Sequence, residues 1–80
     1  MTYQLFQQVR LAQDIPERGL KEGDVATIVE FHPRQHGEPG YSLEVFNALG
    51  ETITVVTLPE SLIHPLAADQ ILHVRFLEAA

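Results

Sequence analysis

YSLEVFNALGETITVVTL, residues 41–58, reads as two strands and the turn that joins them. In the first half Tyr41, Leu43 and Val45 alternate with Ser42 and Glu44, the period of a strand with one apolar and one wet face. Phe46 falls on the otherwise polar side. Ala48–Glu51 breaks the alternation and carries Gly50. A short Gly-containing loop between two such runs is the signature of an antiparallel hairpin. The second half, Thr52–Leu58, is rich in Thr, Ile and Val, which suit a pleated surface. It carries apolar side chains on both faces, Ile53 and Val55 against Val56 and Leu58.

Outward from this hairpin the chain is punctuated in the same way. Gln7–Ala12 alternates, with Val9 and Leu11 opposite Gln8 and Arg10. The stretch 14–23, DIPERGLKEG, predicts an ordered excursion rather than a helix, because Pro16 fixes φ while Gly19 and Gly23 permit positive φ. Ile15 and Leu20 are its apolar anchors, and Asp14 and Asp24 are placed to cap turns through their side-chain oxygens. In Asp24–His32 the residues Val25, Ile28, Val29 and Phe31 break strict alternation, which predicts a bulge or a strand buried on both faces. The run 33–40, PRQHGEPG, holds two prolines and two glycines and is the leading candidate for a mobile loop. Residues 59–66 are closed by Pro65 and predict one helical or 3₁₀ turn, with Leu62, Ile63 and Leu66 docking on the core. Ile71–Glu78 alternates again, Leu72, Val74 and Phe76 against His73 and Arg75, and predicts the last strand. Short strands at near-regular spacing predict an all-β fold over one domain, residues 1–80. The expected form is a small SH3-like barrel of about five antiparallel strands, with a 3₁₀ or short helical turn before the last.

Eighty residues, no cysteine and a net charge of −6 narrow the function classes. The length allows one small core. The lack of cysteine removes disulfides, thiolate metal sites and cysteine nucleophiles. Together with a start that has no basic and then apolar leader, it predicts a cytoplasmic protein. No apolar run approaches the length of a membrane span. The five basic residues, Arg10, Arg18, Lys21, Arg34 and Arg75, are scattered among 11 acidic ones. No positive patch offers itself to a phosphate backbone.

The segment Val9–Leu11, Asp14–Glu17 and Gly19–Glu30 resembles the bacterial domain of unknown function 4926 family. So do Tyr41–Asn47, Gly50 and Thr54–Leu58. The likeness runs over roughly residues 7–66, with departures at Ala26, where the family usually has Gly, and in the long Pro33–Gly40 loop. It implies a small cytosolic barrel and supplies no enzymatic activity. It also implies small partner proteins, in the manner of toxin–antitoxin or immunity pairs. The Gly23-Asp24-Val25 start of the second run is similar to the KOW element of RNA- and polymerase-binding barrels, but the matching loops here are acidic or neutral.

Chemistry is sparse. His32 and His36 have an H-x₃-H spacing, but Pro33 and Gly37 place it in a loop, where that spacing does not build a zinc face. His64 and His73 lack a third ligand, so no metal and no cofactor are expected. Glu17, Glu22 and Asp24, or Glu30 and Glu44, would need a concave site to act as acid and base. Ser42 and Ser61 lack a nucleophile elbow. No phosphate-binding glycine motif occurs. What remains is a non-enzymatic protein–protein interaction module with an unidentified protein partner. Arg34, His36 and Tyr41, around the 33–40 loop, are the candidate binding residues. The alternatives are an antitoxin- or immunity-like partner protein and a KOW-like nucleic-acid-binding module. A homodimer through Phe46 and Val56 is a further expectation.

Overall fold

Asn47 folds the predicted hairpin shut. Its Oδ1 accepts hydrogen bonds from the backbone N–H of Leu49 and of Glu51, both at 2.9 Å. Its own N–H donates to the Glu51 carbonyl at 2.8 Å. A side chain that bonds its own downstream backbone in this way makes a turn without help from the core. Gly50, at φ +83°, supplies the left-handed step.

The computed structural model describes residues 2–77. Its strands are β1 (Gln8–Leu11), β2 (Val25–His32), β3 (Gly40–Phe46), β4 (Thr52–Pro59) and β5 (Ile63–Pro65), with 3₁₀ turns at Pro16–Arg18 and Glu60–Leu62. All pairings are antiparallel, in one sheet of order β4-β3-β2-β1-β5. The all-β class, the five antiparallel strands and the 3₁₀ turn before the last strand are as expected. No helix among the described residues is long and apolar enough to cross a membrane.

Two bulges account for the broken alternation. Between Ile28↔Leu43 and Glu30↔Ser42 the β2 strand carries one extra residue, Val29. Between Val45↔Thr54 and Phe46↔Thr52 the β4 strand carries Ile53 as the extra residue. Each bulge resets the side-chain parity. Ile53 therefore packs against the same core as Val56 and Leu58, although its position is odd and theirs are even. Val55 stays outside, exposed.

The two edges of the sheet are joined by a very short connection. Pro59 ends β4 at one edge and Ile63 opens β5 at the other. Four Cα steps reach at most about 14 Å. The edges of a flat five-stranded sheet stand about 19 Å apart. The sheet is therefore curled, with its edges drawn together at this end. Among the described residues β4 and β5 share no ladder.

The curl encloses one core: Val9, Leu11, Ile15, Leu20, Ala26, Ile28, Leu43, Val45, Val56 and Ile63, with Tyr3 and Tyr41. Tyr41 is fully buried. Its ring meets Tyr3 edge-on at 5.5 Å and Phe31 at 5.3 Å. Such ring pairs add about 0.5–1.5 kcal/mol beyond the area they bury. The excursion between β1 and β2 behaves as its residues predict. Ile15 and Leu20 bridge each other and are buried. Asp14 Oδ1 and Asp24 Oδ2 accept the N–H of Glu22 and of Lys21, each at 2.8 Å.

Two expectations need correction. The last strand is Ile63–Pro65, not Ile71–Glu78: residues 71–77 belong to no strand, and Glu78 lies outside the described residues. Alternation marks a chain that can pair, but β5 already occupies the place beside β1. Val56 is buried, so it cannot form a dimer surface. At the far end of the 33–40 loop, Glu38 accepts the Ser61 N–H at 2.6 Å and the Ser61 hydroxyl at 3.0 Å.

Leu43, fully buried at the centre of the sheet, gives the direct test of this core. Leu43→Ala is expected to lower unfolding free energy by about 3 kcal/mol in urea titrations, the mid-range for a core leucine. A loss under about 1 kcal/mol would contradict the packing described.

Candidate functional site

Of the three residues selected from sequence, the structure separates one from the other two. Arg34 and His36 are exposed on the loop between β2 and β3. Tyr41 is not a surface aromatic. It lies on the inward face of β3, and its hydroxyl donates to Glu60 Oε2 at 3.1 Å. The Tyr41 hydroxyl oxygen in turn accepts the Tyr3 N–H at 3.3 Å. Proximity to a loop in sequence suggests exposure, but the strand's alternation sets which way the ring points. A shallow, open hollow beside the loop is lined by Thr2, Phe31, Pro33, Arg34, Pro39 and Glu60.

The outer face of β2, β3 and β4 carries a polar row. His32 Nε2 lies 2.7 Å from Ser42 Oγ, which lies 2.9 Å from Thr57 Oγ1. Glu30 Oε1 stands 3.6 Å from the same Nε2. Serine, histidine and carboxylate are thus together, yet their order does not serve nucleophilic catalysis. A base needs one ring nitrogen on the serine and the other on the carboxylate, and here both contacts fall on Nε2. The row instead satisfies Ser42, a buried polar residue. Among the described residues no three His, Asp or Glu side chains group as a metal cage.

A further exposed surface is apolar. After β5 the chain runs back over the sheet and is fastened by Arg75. The guanidinium grips Asp24 with two nitrogens, Nε to Oδ1 at 3.0 Å and Nη2 to Oδ2, and Nη2 also reaches the Gly19 carbonyl at 3.1 Å. Planar two-point pairing of this kind is the strongest form of a surface ion pair. Around that anchor the side chains stand in water: Ile71 is 92% exposed, Leu72 68%, Val74 84%, Phe76 96% and Leu77 52%. Between the segment and the sheet lies a cavity of about 810 Å³, walled by Leu20, Val25, Val45 and Ile53 on the sheet side. A second, smaller apolar knuckle is Leu5–Phe6, where Phe6 is exposed and holds φ +67°. A bulky residue in that region is strained by about 1–2 kcal/mol. The Phe6 N–H, donating to the Ile28 carbonyl at 2.6 Å, keeps it there. Neither patch is among the residues selected from sequence. The apolar content of 71–77 is visible there, but its pattern assigns it to the sheet.

Residues 5–65 match the domain of unknown function DUF4926. The chain belongs to this family. The match takes in all five strands of the DUF4926 domain and ends at Pro65, the last residue of β5. The exposed 71–77 segment lies beyond it. No curated protein and no solved structure matches the chain.

The contacts that flank this DUF4926 domain can be tested at two places. Burial first, then the charge of Glu60 and the Tyr41 phenol, push the Tyr3 hydroxyl above the ordinary tyrosine value, against a smaller opposing pull from Arg10. A raised folded value means stability that is complete below pH about 10 and is lost as pH climbs through the folded value. Urea midpoints should fall from pH 9 to pH 11, and fall less in Tyr3→Phe. An equal fall in both would contradict the assignment. Removing the anchor, Arg75→Ala, should open residues 71–77 to proteinase K while the five strands remain resistant. Unchanged cleavage would show that another contact holds the segment.

Proposed function

We propose that this DUF4926 domain is a cytoplasmic, non-enzymatic protein-interaction module, and that residues 71–77 are its docking element. One observation carries the reading. Five large apolar side chains stand together in water on a segment fastened to its own domain through Arg75. Soluble monomers rarely leave such a group uncovered, and where one occurs it commonly marks an interaction site. The alternation of Leu72, Val74 and Phe76 with His73 and Arg75 suits addition to another strand, in which backbone bonds supply affinity and alternate side chains supply specificity.

The charge pattern supports a protein rather than a nucleic acid. The chain carries 11 acidic residues against 5 basic ones. Arg75 is committed to Asp24, and Arg18 donates to Thr54 Oγ1 at 2.7 Å. This distribution does not favour the KOW-like alternative. The antitoxin- or immunity-like form of the reading fits a basic effector, drawn in by the net charge of −6.

The test compares the tagged native chain with a Leu72→Ser, Val74→Ser, Phe76→Ser variant in co-purification. The native chain should retain a stoichiometric protein, either a second copy or another chain, and the variant should lose it. Equal retention by both would move the docking surface elsewhere. Retention by neither would end the reading.

A further inference from the structure

Asp24 serves two partners. Its Oδ2 accepts the Lys21 N–H at 2.8 Å, and its own N–H donates to the Lys21 carbonyl at 3.0 Å, so the carboxylate is fixed at the end of the excursion. Both carboxylate oxygens also receive Arg75, Oδ1 from Nε at 3.0 Å and Oδ2 from Nη2. A third acceptor stands beside them, the Gly19 carbonyl, which takes Nη2 at 3.1 Å. Two carboxylate oxygens and a carbonyl set around one planar fork make a cradle for a guanidinium. An ammonium, with its donors on a single nitrogen, cannot match that geometry.

The cradle is built without the group that fills it. Ile15 and Leu20 bridge each other, Asp14 accepts the Glu22 N–H at 2.8 Å, and the Gly23 N–H donates to the Leu11 carbonyl at 2.9 Å. Gly19 closes the 3₁₀ turn at φ +70°, with its N–H on the Pro16 carbonyl at 3.0 Å. These contacts all lie within residues 11–24, inside the stretch that matches the family, whereas Arg75 lies beyond it. Arg75 is carried on a segment that belongs to no strand and whose apolar side chains stand in water. A partly exposed ion pair holds such a segment only weakly. The occupant is therefore separable from the cradle.

Resting on the interaction reading above, we propose that Gly19 and Asp24 form a binding site for an arginine side chain of a basic protein partner, and that Arg75 fills this site in the free chain as an internal competitor. Exchanging Arg75 for an arginine of the partner keeps every hydrogen bond of the cradle. It also frees residues 71–77 from their own domain as the partner arrives. Charge favours this occupant. Residues 14–24 hold four acidic residues against two basic ones, in a chain of net charge −6. Such a surface draws in a basic chain, and the paired oxygens of Asp24 then select arginine over lysine.

The test is a titration followed through backbone amide NMR signals. The probe is a blocked tripeptide with arginine between two glycines, and its lysine counterpart is the comparison. In Arg75→Ala the arginine peptide should shift Gly19, Leu20 and Asp24 saturably, and the lysine peptide should bind several-fold more weakly. The native chain should bind the arginine peptide about fivefold more weakly than Arg75→Ala, because Arg75 must first leave. Asp24→Asn, added to Arg75→Ala, keeps an oxygen for the Lys21 N–H but loses the charge and the second charged acceptor, and should abolish binding. The five strands should stay protected from hydrogen exchange in every variant. Absence of saturable binding to Arg75→Ala would overturn the proposal. So would equal binding of the two peptides, native binding as tight as that of Arg75→Ala, or binding that survives Asp24→Asn. Loss of all partners in the co-purification is the separate result that would remove the interaction reading itself.

Discussion

Three residues, Glu60–Leu62, carry the chain from one edge of the sheet to the other. That reach is shorter than a flat sheet allows, and the rest of the architecture depends on it. The corner is held from several sides. Tyr41 on β3 donates to Glu60, and Tyr3 donates to the Ile63 carbonyl at 3.2 Å. Glu38 binds Ser61, the Glu60 N–H donates to the Pro39 carbonyl, and the Ala12 N–H donates to the Leu62 carbonyl. The contacts come from the amino-terminal segment, the end of β1, the β2–β3 loop and β3. Ordering one of them helps order the others, so their joint removal costs more than separate effects would suggest.

This corner also displaces the last apolar run. Because β5 begins directly after the turn and takes the place beside β1, the last strand of the sheet ends at Pro65. Residues 71–77 still have the composition of a strand but pair with none of the five. A bidentate ion pair, partly exposed, holds them against the domain. Surface ion pairs of this kind contribute about 1 kcal/mol or less. That is small beside the apolar surface the segment leaves in water, and the imbalance is the physical basis of the docking proposal.

The hairpin, the capped excursion and the bulge in β2 are legible in the sequence because each is written locally. Asn47 with Gly50, Asp14 with Asp24, and Val29 out of phase are short-range signals. The bulge at Ile53 is legible only as an anomaly, apolar residues on both faces, since the choice of extra residue depends on pairing with β3. The failures are all non-local. Loop residues beside Tyr41 in sequence suggest a surface ring, whereas the ring is buried against Tyr3, 38 positions away. Val56 looks available to a dimer only because its strand reads as two-sided. The bond from Glu38 to a serine 23 positions on is likewise invisible in the loop's local pattern. Residues 71–77 meet every local test for a strand, yet they pair with none of the five.

Hydrogen exchange of the backbone amides in dilute protein tests most directly whether 71–77 lies outside its own sheet. Exchange should be slow in the five strands and fast in 71–77. Protection of 71–77 equal to that of β1 in the most dilute sample would contradict this, because the segment would then be a strand of its own domain.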